Sequence, residues 1–481
     1  MATLRKIYAV FALASVFPLA LALKVCTQIQ HAVSFASAVY YPDSANYTAD
    51  IAHWTASSTQ SAACSVEPGT AADVSIIIRL LGETKTPFAV KGGGHDTNPG
   101  FSSTTGVQIA MTRFSTVNYD EQSGTVAIGP GMIWDDVYAE LAQYGVIVTG
   151  GRVSGVGVAG FTLGGGFNWL ANQVGLAVDT VVGYELVKPN GDIVSVTASD
   201  TDLFFALKGG FNNFGIVTQF IFKAFPIGQV WGGFIVYGAA QLPAFTAALA
   251  NFAANSTDPK GQLISAYSNN ASGEPMVSNL MFYDGPSPPP GVFDEFLAIQ
   301  NQTASLSTRS FLSLFLAAPQ ILPAGTRGYF DTLSFFQYTP AIVDAILNET
   351  TFWGARLAPI GASIQFHLEP FLESIYTHNT SPTAFPSFRA PRVVPLQVEI
   401  TWTDPQHDVT IQEALKQSGE HLTNVAVQDG QAIQQAPLYP NYALFTHPIE
   451  RIYGSNLPRL RAIKAKVDPD NVMGLAGGWK I

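Results

Sequence analysis

Two glycine-dense stretches restrict this chain more than any other feature. The first is Lys91-Gly92-Gly93-Gly94-His95, and the second runs from Gly150 to Gly166. Consecutive glycines carry a large entropic cost on folding, so they are kept where backbone must approach another group closely. Bare N–H groups in such a loop form an anion-binding concavity, and a pyrophosphate is its natural guest. The alternative is a tight strand-to-loop turn that holds nothing.

The second stretch contains Gly155-Val156-Gly157-Val158-Ala159-Gly160, a match to G-x-G-x-x-G, and Asp179 stands 19 residues beyond Gly160. This spacing resembles a dinucleotide fingerprint, but the context rejects it. A helix opening there would pass through Gly164-Gly165-Gly166, at ~1 kcal/mol per interior glycine relative to alanine. The fingerprint also belongs to the first βα turn of a fold, and that position is missing. What remains is a backbone cradle for phosphates without Rossmann topology.

Around the two loops the chain alternates short strands and helices. Thr70 N-caps a helix expected to run to about Leu81, with Gly82 as its stop. Strands are expected at Pro87–Val90, Val107–Met111 and Thr125–Ile128, then a helix from Met132 to Gln143 ended by Gly145. Thr180–Lys188 and Asp192–Thr197 flank Pro189-Asn190-Gly191, a hairpin signal. A short helix at Asp202–Leu207 and a strand at Ile216–Phe222 complete this part. From about residue 228 to 430 the glycine clusters vanish. There Leu242–Phe252 and Phe293–Gln300 read as helices and Leu396–Trp402 as a strand. Near the end Pro458 suits a first helical turn, and Leu460, Ile463 and Val467 share one helical face.

Composition bounds the function. The 481 residues are 47% hydrophobic, enough for two or three domains with sizeable cores. Only 12% are charged and the net charge is -11, so no basic field exists to attract nucleic acid or an anionic membrane. Aromatics at 12% argue against disorder.

Residues 1–22 read as an export signal: Arg5 and Lys6, an apolar run from Ile7 to Leu21, and Ala20-Leu21-Ala22 as the cleavage site. A membrane anchor is the rival, but the run is shorter than the ~20 residues a bilayer requires. The expected product is therefore secreted, or held in the lumen of a secretory vesicle, and free of the membrane once the signal is cut. Cys26 and Cys64, the two cysteines, most simply form one disulfide in an exported chain, with two buried thiols as the alternative. Asn46, Asn255, Asn270, Asn301, Asn348 and Asn379 each open an N-x-S/T sequon, which suits a glycosylated surface.

His95 closes the first glycine loop. The eight histidines show no H-x-H or H-x-x-x-H pair, so no metal site is expected. No G-x-S-x-G elbow marks a serine hydrolase. Spacing and composition alone therefore reach a protein that binds a phosphate-bearing cofactor.

The motifs taken together go further. Lys91-Gly92-Gly93-Gly94-His95, Gly150-Gly151-Arg152-Val153-Ser154-Gly155-Val156-Gly157, Leu163-Gly164-Gly165-Gly166 and Asn212-Asn213-Phe214-Gly215-Ile216-Val217 occur in order. Tyr439-Pro440-Asn441-Tyr442, Tyr453-Gly454-Ser455-Asn456 and Asp468-Pro469-Asp470-Asn471-Val472 follow. The chain resembles FAD-linked oxidases of the berberine-bridge-enzyme-like group, with an FAD domain of the vanillyl-alcohol-oxidase (PCMH) type. The likeness is loose over residues 230–430. It implies an α+β chain with a two-lobed FAD-binding domain at 57–228, on which an N-terminal extension at 23–56 packs. An α+β substrate domain with an antiparallel sheet follows at 229–430, and a C-terminal segment at 431–481 returns to the FAD domain.

The resemblance also implies roles. His95 would carry the flavin through its 8α-methyl. Gly92, Gly93, Gly94, Ser154, Gly155, Val156, Gly157, Gly160, Gly164, Gly165, Ile216 and Val217 would line the cofactor, and Asn441 would hold the pyrimidine edge through its amide. Tyr439 would be the proton acceptor and Val156 would leave room for O₂. Some relatives add a second tether through cysteine; Val153 stands there, so a single link is implied. The function implied is a secreted, monomeric oxidase acting on a small organic substrate in fungal secondary metabolism. The alternatives are a carbohydrate oxidase forming a lactone and a flavin-bearing surface protein with little turnover.

Overall fold

The computed structural model describes residues 21–269, 273–317 and 322–481. The expected export signal lies outside the described residues except for Leu21 and Ala22, as does the sequon residue Asn270.

Three sheets organise the chain. The first joins β1 (Ala38–Tyr40), β2 (Cys64–Glu67), β3 (Phe88–Lys91) and β4 (Val107–Ala110) in the order β1-β2-β4-β3. β2, β4 and β3 are parallel, so the chain must cross over between β2 and β3. The helix Ala71–Thr84 does this, with Thr70 accepting a hydrogen bond from the Asp73 N–H as its N-cap and Val74, Ile77, Ile78 and Leu81 fully buried. This helix does not stop at Gly82. It continues to Thr84, and Lys85 ends it in the left-handed region at φ 51°. Gly82 lies inside the helix, where a Cβ would press on the Val472 side chain at 3.0 Å. Residues 21–32 form a further helix that buries Val25, Cys26 and Ile29 against this sheet, and a Cys26–Cys64 disulfide pins it to β2.

The second sheet is antiparallel, with β5 (Val117–Asp120), β6 (Thr125–Ile128), β8 (Val181–Val187), β9 (Ile193–Thr197) and β10 (Ile216–Lys223) in the order β5-β6-β10-β8-β9. A small ribbon pairs β7 (Val146–Ile147) with β11 (Phe225–Pro226) beside it. These two sheets form two lobes, and the glycine stretch 150–166 belongs to the second.

The third sheet has seven antiparallel strands: β12 (Gln229–Tyr237), β13 (Gly261–Asn269), β14 (Pro275–Tyr283), β15 (Thr303–Ser310), β16 (Arg327–Phe335), β17 (Ser363–Leu368) and β18 (Val394–Trp402). Their order is β15-β12-β14-β13-β17-β18-β16. The region expected to hold an antiparallel sheet thus carries the largest one, although only Leu396–Trp402 among its strands was placed from the sequence. Helices Leu242–Asn255, Pro340–Leu357 and Asp408–Gln428 contribute to a common core with one of its faces, through residues such as Phe245, Ile346 and Leu415. The expected helix at Phe293–Gln300 is a short one, Asp294–Ala298.

The last segment returns to the first sheets. The helix Leu457–Val467 carries Pro458 in its first turn and buries Leu460 and Ile463. Asp468 then accepts from the N–H groups of Val472 and Met473, and Ala476 bridges to Phe88 of β3.

Candidate active site: one cavity between two lobes and a sheet

β3 delivers the chain straight into the first glycine loop, at the C-terminal end of a parallel strand. Lys91 anchors that junction: its Nζ donates to the carbonyls of Ala49 and Ala52, both at 2.9 Å. The Trp54 N–H donates to the Gly94 carbonyl at 2.9 Å. The second loop is clipped in turn to residues 132–134. The Val158 N–H donates to the Met132 carbonyl and the Trp134 N–H to the Val156 carbonyl, each at 3.0 Å. These clips press the two loops together. A Cβ on Gly93 would lie 2.5 Å from the Gly157 Cα, so no side chain fits between the loops. The entropic cost of the glycines is offset by this backbone-to-backbone approach.

Beside the contact opens a cavity of about 460 Å³. Gly92, Gly93, Gly94, His95, Val156, Gly157, Gly160, Ile216 and Val217 all line it, and so do Tyr439, Asn441 and Val153. Ser154 and Gly155 instead hold a carboxylate. The Ser154 hydroxyl and the Gly155 N–H, the latter at 2.7 Å, both donate to Asp135. Gly164 and Gly165 stand behind the wall, where Asn441 and Phe385 pack on them. Asp179 has nothing to do with a nucleotide: it pairs with Arg389 at 2.7 Å.

His95 is neutral. Burial pushes its imidazole down to about 4 from the usual 6.5, because the charged form is poorly solvated there. Its Nε2 is buried without a partner. Asp96, next to it and also on the cavity wall, is pushed up to about 7 by burial.

Tyr439, the implied proton acceptor, is buried on the cavity wall. Its hydroxyl accepts from the Asn441 Nδ2 at 2.8 Å and from the Gly166 N–H at 3.2 Å. Even so, burial pushes the phenol up to about 12. Asn441 donates its other amide hydrogen to the Phe161 carbonyl at 3.1 Å, so its Oδ1 is the end left to accept from a ligand.

Sequence reasoning missed a second group of residues. Arg152 Nη2 pairs with Glu369 Oε2 at 2.5 Å, with side chains 5% and 1% exposed. The Tyr442 hydroxyl donates to Glu369 Oε1 at 2.9 Å and accepts from Arg152 at 3.1 Å. Across the cavity, Gln365, His367, Gln397 and Glu399 project from the face of the seven-stranded sheet that its helices leave free. The signal for these four was present as alternation. Ile364-Gln365-Phe366-His367-Leu368 and Leu396-Gln397-Val398-Glu399-Ile400 both change from apolar to polar at every residue.

Comparison with known proteins meets this geometry. The family described as FAD binding domain matches residues 62–197, and the one described as Berberine and berberine like matches residues 438–476. The FAD-dependent monooxygenase drtC of Aspergillus calidoustus is 30% identical over 95% of this chain and 90% of its own length. The chain belongs to the berberine-bridge-enzyme-like FAD-linked oxidoreductases. The FAD-dependent monooxygenase sdcF of Emericella nidulans is also 30% identical, over 93% of this chain and 96% of its own. Among solved structures, the carbohydrate oxidase of Microdochium nivale aligns with a TM-score of 0.78 at 19% identity, covering 95% of this chain and 99% of that one. The 6-hydroxy-D-nicotine oxidase of Arthrobacter nicotinovorans gives 0.76 at 19% identity, over 93% and 98%. The two-lobed flavin fold with an antiparallel substrate sheet is therefore the family's fold, and the protein is an FAD-binding oxidoreductase. Its residues fit the cofactor: the paired glycine loops leave backbone where a phosphate needs it, and His95 presents a neutral imidazole on the same wall.

Proposed function

We propose that this protein is a secreted, monomeric oxidase that holds FAD through one covalent bond to His95 and oxidises a small, hydroxyl-bearing organic molecule with O₂. One observation carries the reading: the glycine cradle with His95 and the polar face of the seven-stranded sheet line a single cavity. Bound FAD supplies a two-electron oxidant that accepts hydride from carbon and passes the electrons to oxygen. The chain's own residues then have three roles. The loops at 92–95 and 156–157 hold the cofactor, with the Asn441 Oδ1 left to accept from it. Tyr439 lies on the cavity wall where it can orient the substrate, and in the expected mechanism it takes the substrate proton. The walls of Phe234, Ile264, Leu280 and Phe330 exclude water from the apolar part of the guest.

A single tether is supported by Val153, which stands on the cavity wall where a second, cysteinyl link would require a thiol; both cysteines are in the disulfide. Export is supported by that disulfide and by the exposure of Asn46, Asn255, Asn301 and Asn348, while Asn379 is half-buried. Among the described residues no helix is long and apolar enough to cross a membrane. A role in fungal secondary metabolism is part of the same proposal, supported by the fungal relatives. The polar row at Gln365, His367, Gln397 and Glu399 also favours a second reading, oxidation of a sugar to its lactone, because those side chains suit hydroxyl groups.

Anaerobic photoreduction followed by air tests the function. An oxidase should reoxidise within seconds and release one H₂O₂ per flavin. Slow reoxidation identifies a flavin-bearing protein with little turnover, and incorporation of ¹⁸O₂ into product identifies a monooxygenase. Lactone formation from cello-oligosaccharides would select the sugar reading.

A further inference from the structure

A third glycine pair lies on the cavity wall, apart from the two loops, and it brings a lysine with it. Gly477, Gly478 and Trp479 line the cavity, and so do Phe211 and Asn212 from the turn Phe211–Asn213. The backbone of Gly477 is pressed on that of Gly100: a Cβ on it would lie 1.7 Å from the Gly100 carbonyl oxygen. Gly478 has φ 103°, in the region that favours glycine. Two asparagines stitch this segment to the turn. Asn213 donates to the carbonyls of Gly210 at 2.9 Å and Trp479 at 2.7 Å. Asn212 donates to the Gly477 carbonyl at 3.3 Å and accepts from the Lys480 Nζ at 2.7 Å. Phe211 is held at φ 54°, a left-handed conformation unfavourable to a residue with a Cβ, and such strain clusters where a chain clamps a ligand.

The charges around this turn do not balance. Lys464 pairs with Asp468 at 3.0 Å, and both side chains are buried. Asp468 commits its oxygens to Lys464 and to the N–H groups of Val472 and Met473. Among the described residues the Lys480 ammonium meets a neutral amide oxygen and no carboxylate. Burial pushes it down to about 7, Lys464 pushes it the same way, and Asp468 opposes them. A cation out of water without a counter-ion is costly, and an anion relieves that cost. The arginine on the cavity wall, Arg152, is already neutralised by Glu369. Lys480 therefore adds a positive charge beside the cavity that no carboxylate answers. The FAD that this family binds carries its negative charge, while the ring is oxidised, on the pyrophosphate.

We propose that Asn212 and Lys480 form a phosphate clamp for the cofactor, in which Asn212 donates to the pyrophosphate and Lys480 supplies the charge that offsets it. Lys480 fixes the amide by its oxygen, so the Nδ2 end is the one turned to a guest. One Nδ2 hydrogen goes to the Gly477 carbonyl, and the other is left for the phosphate. A side chain at Gly478 would crowd that amide, since a Cβ there would lie 3.3 Å from the Asn212 Oδ1. Asn212 touches the cofactor; Lys480 is a positioning residue that acts through the amide and through its charge. The clamp requires only that the chain binds FAD, and it holds whatever the enzyme oxidises.

The test uses flavin-free His95→Ala protein, in which binding is reversible, and three probes. These are FAD, riboflavin (the ring without phosphate) and ADP (the phosphates without the ring). Adding Lys480→Met should weaken FAD and ADP by about 10–100-fold, the worth of a hydrogen bond to a charged group, and leave riboflavin within about threefold. The flavin-free Lys480→Met protein should unfold at or above the temperature of its parent, because it loses a cation that had no counter-ion. A lysine with a purely structural role would lower that temperature. Asn212→Asp tests the amide. The new carboxylate pairs with Lys480, so the flavin-free protein should gain stability while FAD binds as weakly as in Lys480→Met or more so. Unchanged FAD binding in Lys480→Met overturns the clamp, and so does an equal loss of riboflavin and FAD, which would make the residue part of the ring's packing. A shifted reduction potential with unchanged ADP binding assigns the charge to the reduced ring and overturns it as well. If His95→Ala still holds flavin covalently, the tether lies elsewhere; ADP forms no such bond, so its affinity decides the clamp on its own.

Discussion

The indole of Trp54 stacks on the imidazole of His95, with ring centroids 4.5 Å apart and planes 11° from parallel. Trp54 also ties down the glycine loop through its backbone, since its N–H donates to the Gly94 carbonyl. One residue from the N-terminal extension therefore fixes both the loop and the plane of the ring that closes it. A ring held in one plane presents its nitrogen in one direction, which is what bond formation to a bound flavin requires.

The proposed tether to His95 is tested directly. Denatured, acid-precipitated wild-type protein should stay yellow, and His95→Ala should release all of its FAD into the supernatant. Trp54→Leu should retain the capacity for the bond but form it more slowly, because the imidazole loses its stacking partner. Full covalent retention in His95→Ala would place the link on another residue.

The neutral state of His95 gives a pH dependence. Burial lowers its pKa from 6.5 to about 4, so the ring stays unprotonated as the pH falls to near that value. An exposed histidine at about pH 5 would keep only ~3% of its neutral form. Covalent incorporation of FAD into apoprotein should therefore be nearly constant from about pH 8 down to about pH 5, and should decline only as the pH nears 4. A roughly thirtyfold fall in rate over that range, measured by in-gel flavin fluorescence, would show an imidazole that titrates normally.

The buried Arg152–Glu369 pair predicts a stability effect. Each ion offsets the desolvation of the other, and Tyr442 satisfies both. Removing one charge alone strands its partner, at about 3–5 kcal/mol. Glu369→Leu should lower the free energy of chemical unfolding by that amount, and Arg152→Met with Glu369→Leu should recover much of it. A single variant that unfolds like wild type would mean that water reaches the pair.

How far these features could be read from the sequence depends on what each residue answers to. The glycine loops, Thr70 as a cap and the hairpin at Pro189-Asn190-Gly191 were legible because each is a local conformational demand. β8 and β9 flank that turn within a residue of where they were expected. Most of the seven-stranded sheet was not read. Strands such as β14 bury residues on both faces, one against helices and the other in the cavity, so alternation is faint over Pro275–Tyr283. Where one face is polar, as at Gln365 and His367, the alternation is plain, but it reveals a strand and not what the polar face meets. Gly82 misled for the opposite reason: the tight contact at this position is with Val472, far away in sequence. The burial that raises the Tyr439 phenol to about 12 is likewise something spacing does not report.

We expect Val156 to govern how oxygen enters. It lines the cavity one residue before Gly157, the glycine pressed against Gly93, and its carbonyl is fixed by the Trp134 N–H. The side chain is thus held in place by backbone on both sides and has little freedom to yield. Dioxygen has no strong polar handle, so steric access should govern its rate more than affinity does. Leucine adds one methylene at a point where the backbone cannot retreat. Val156→Leu should slow reoxidation of reduced flavin by O₂ and leave reduction by substrate and the covalent link intact. Val156→Ala should hold or raise the reoxidation rate. Stopped-flow mixing of photoreduced protein with aerated buffer measures both. Equal rates in wild type and the leucine variant, with FAD still bound in each, would leave Val156 as packing and send oxygen by another path.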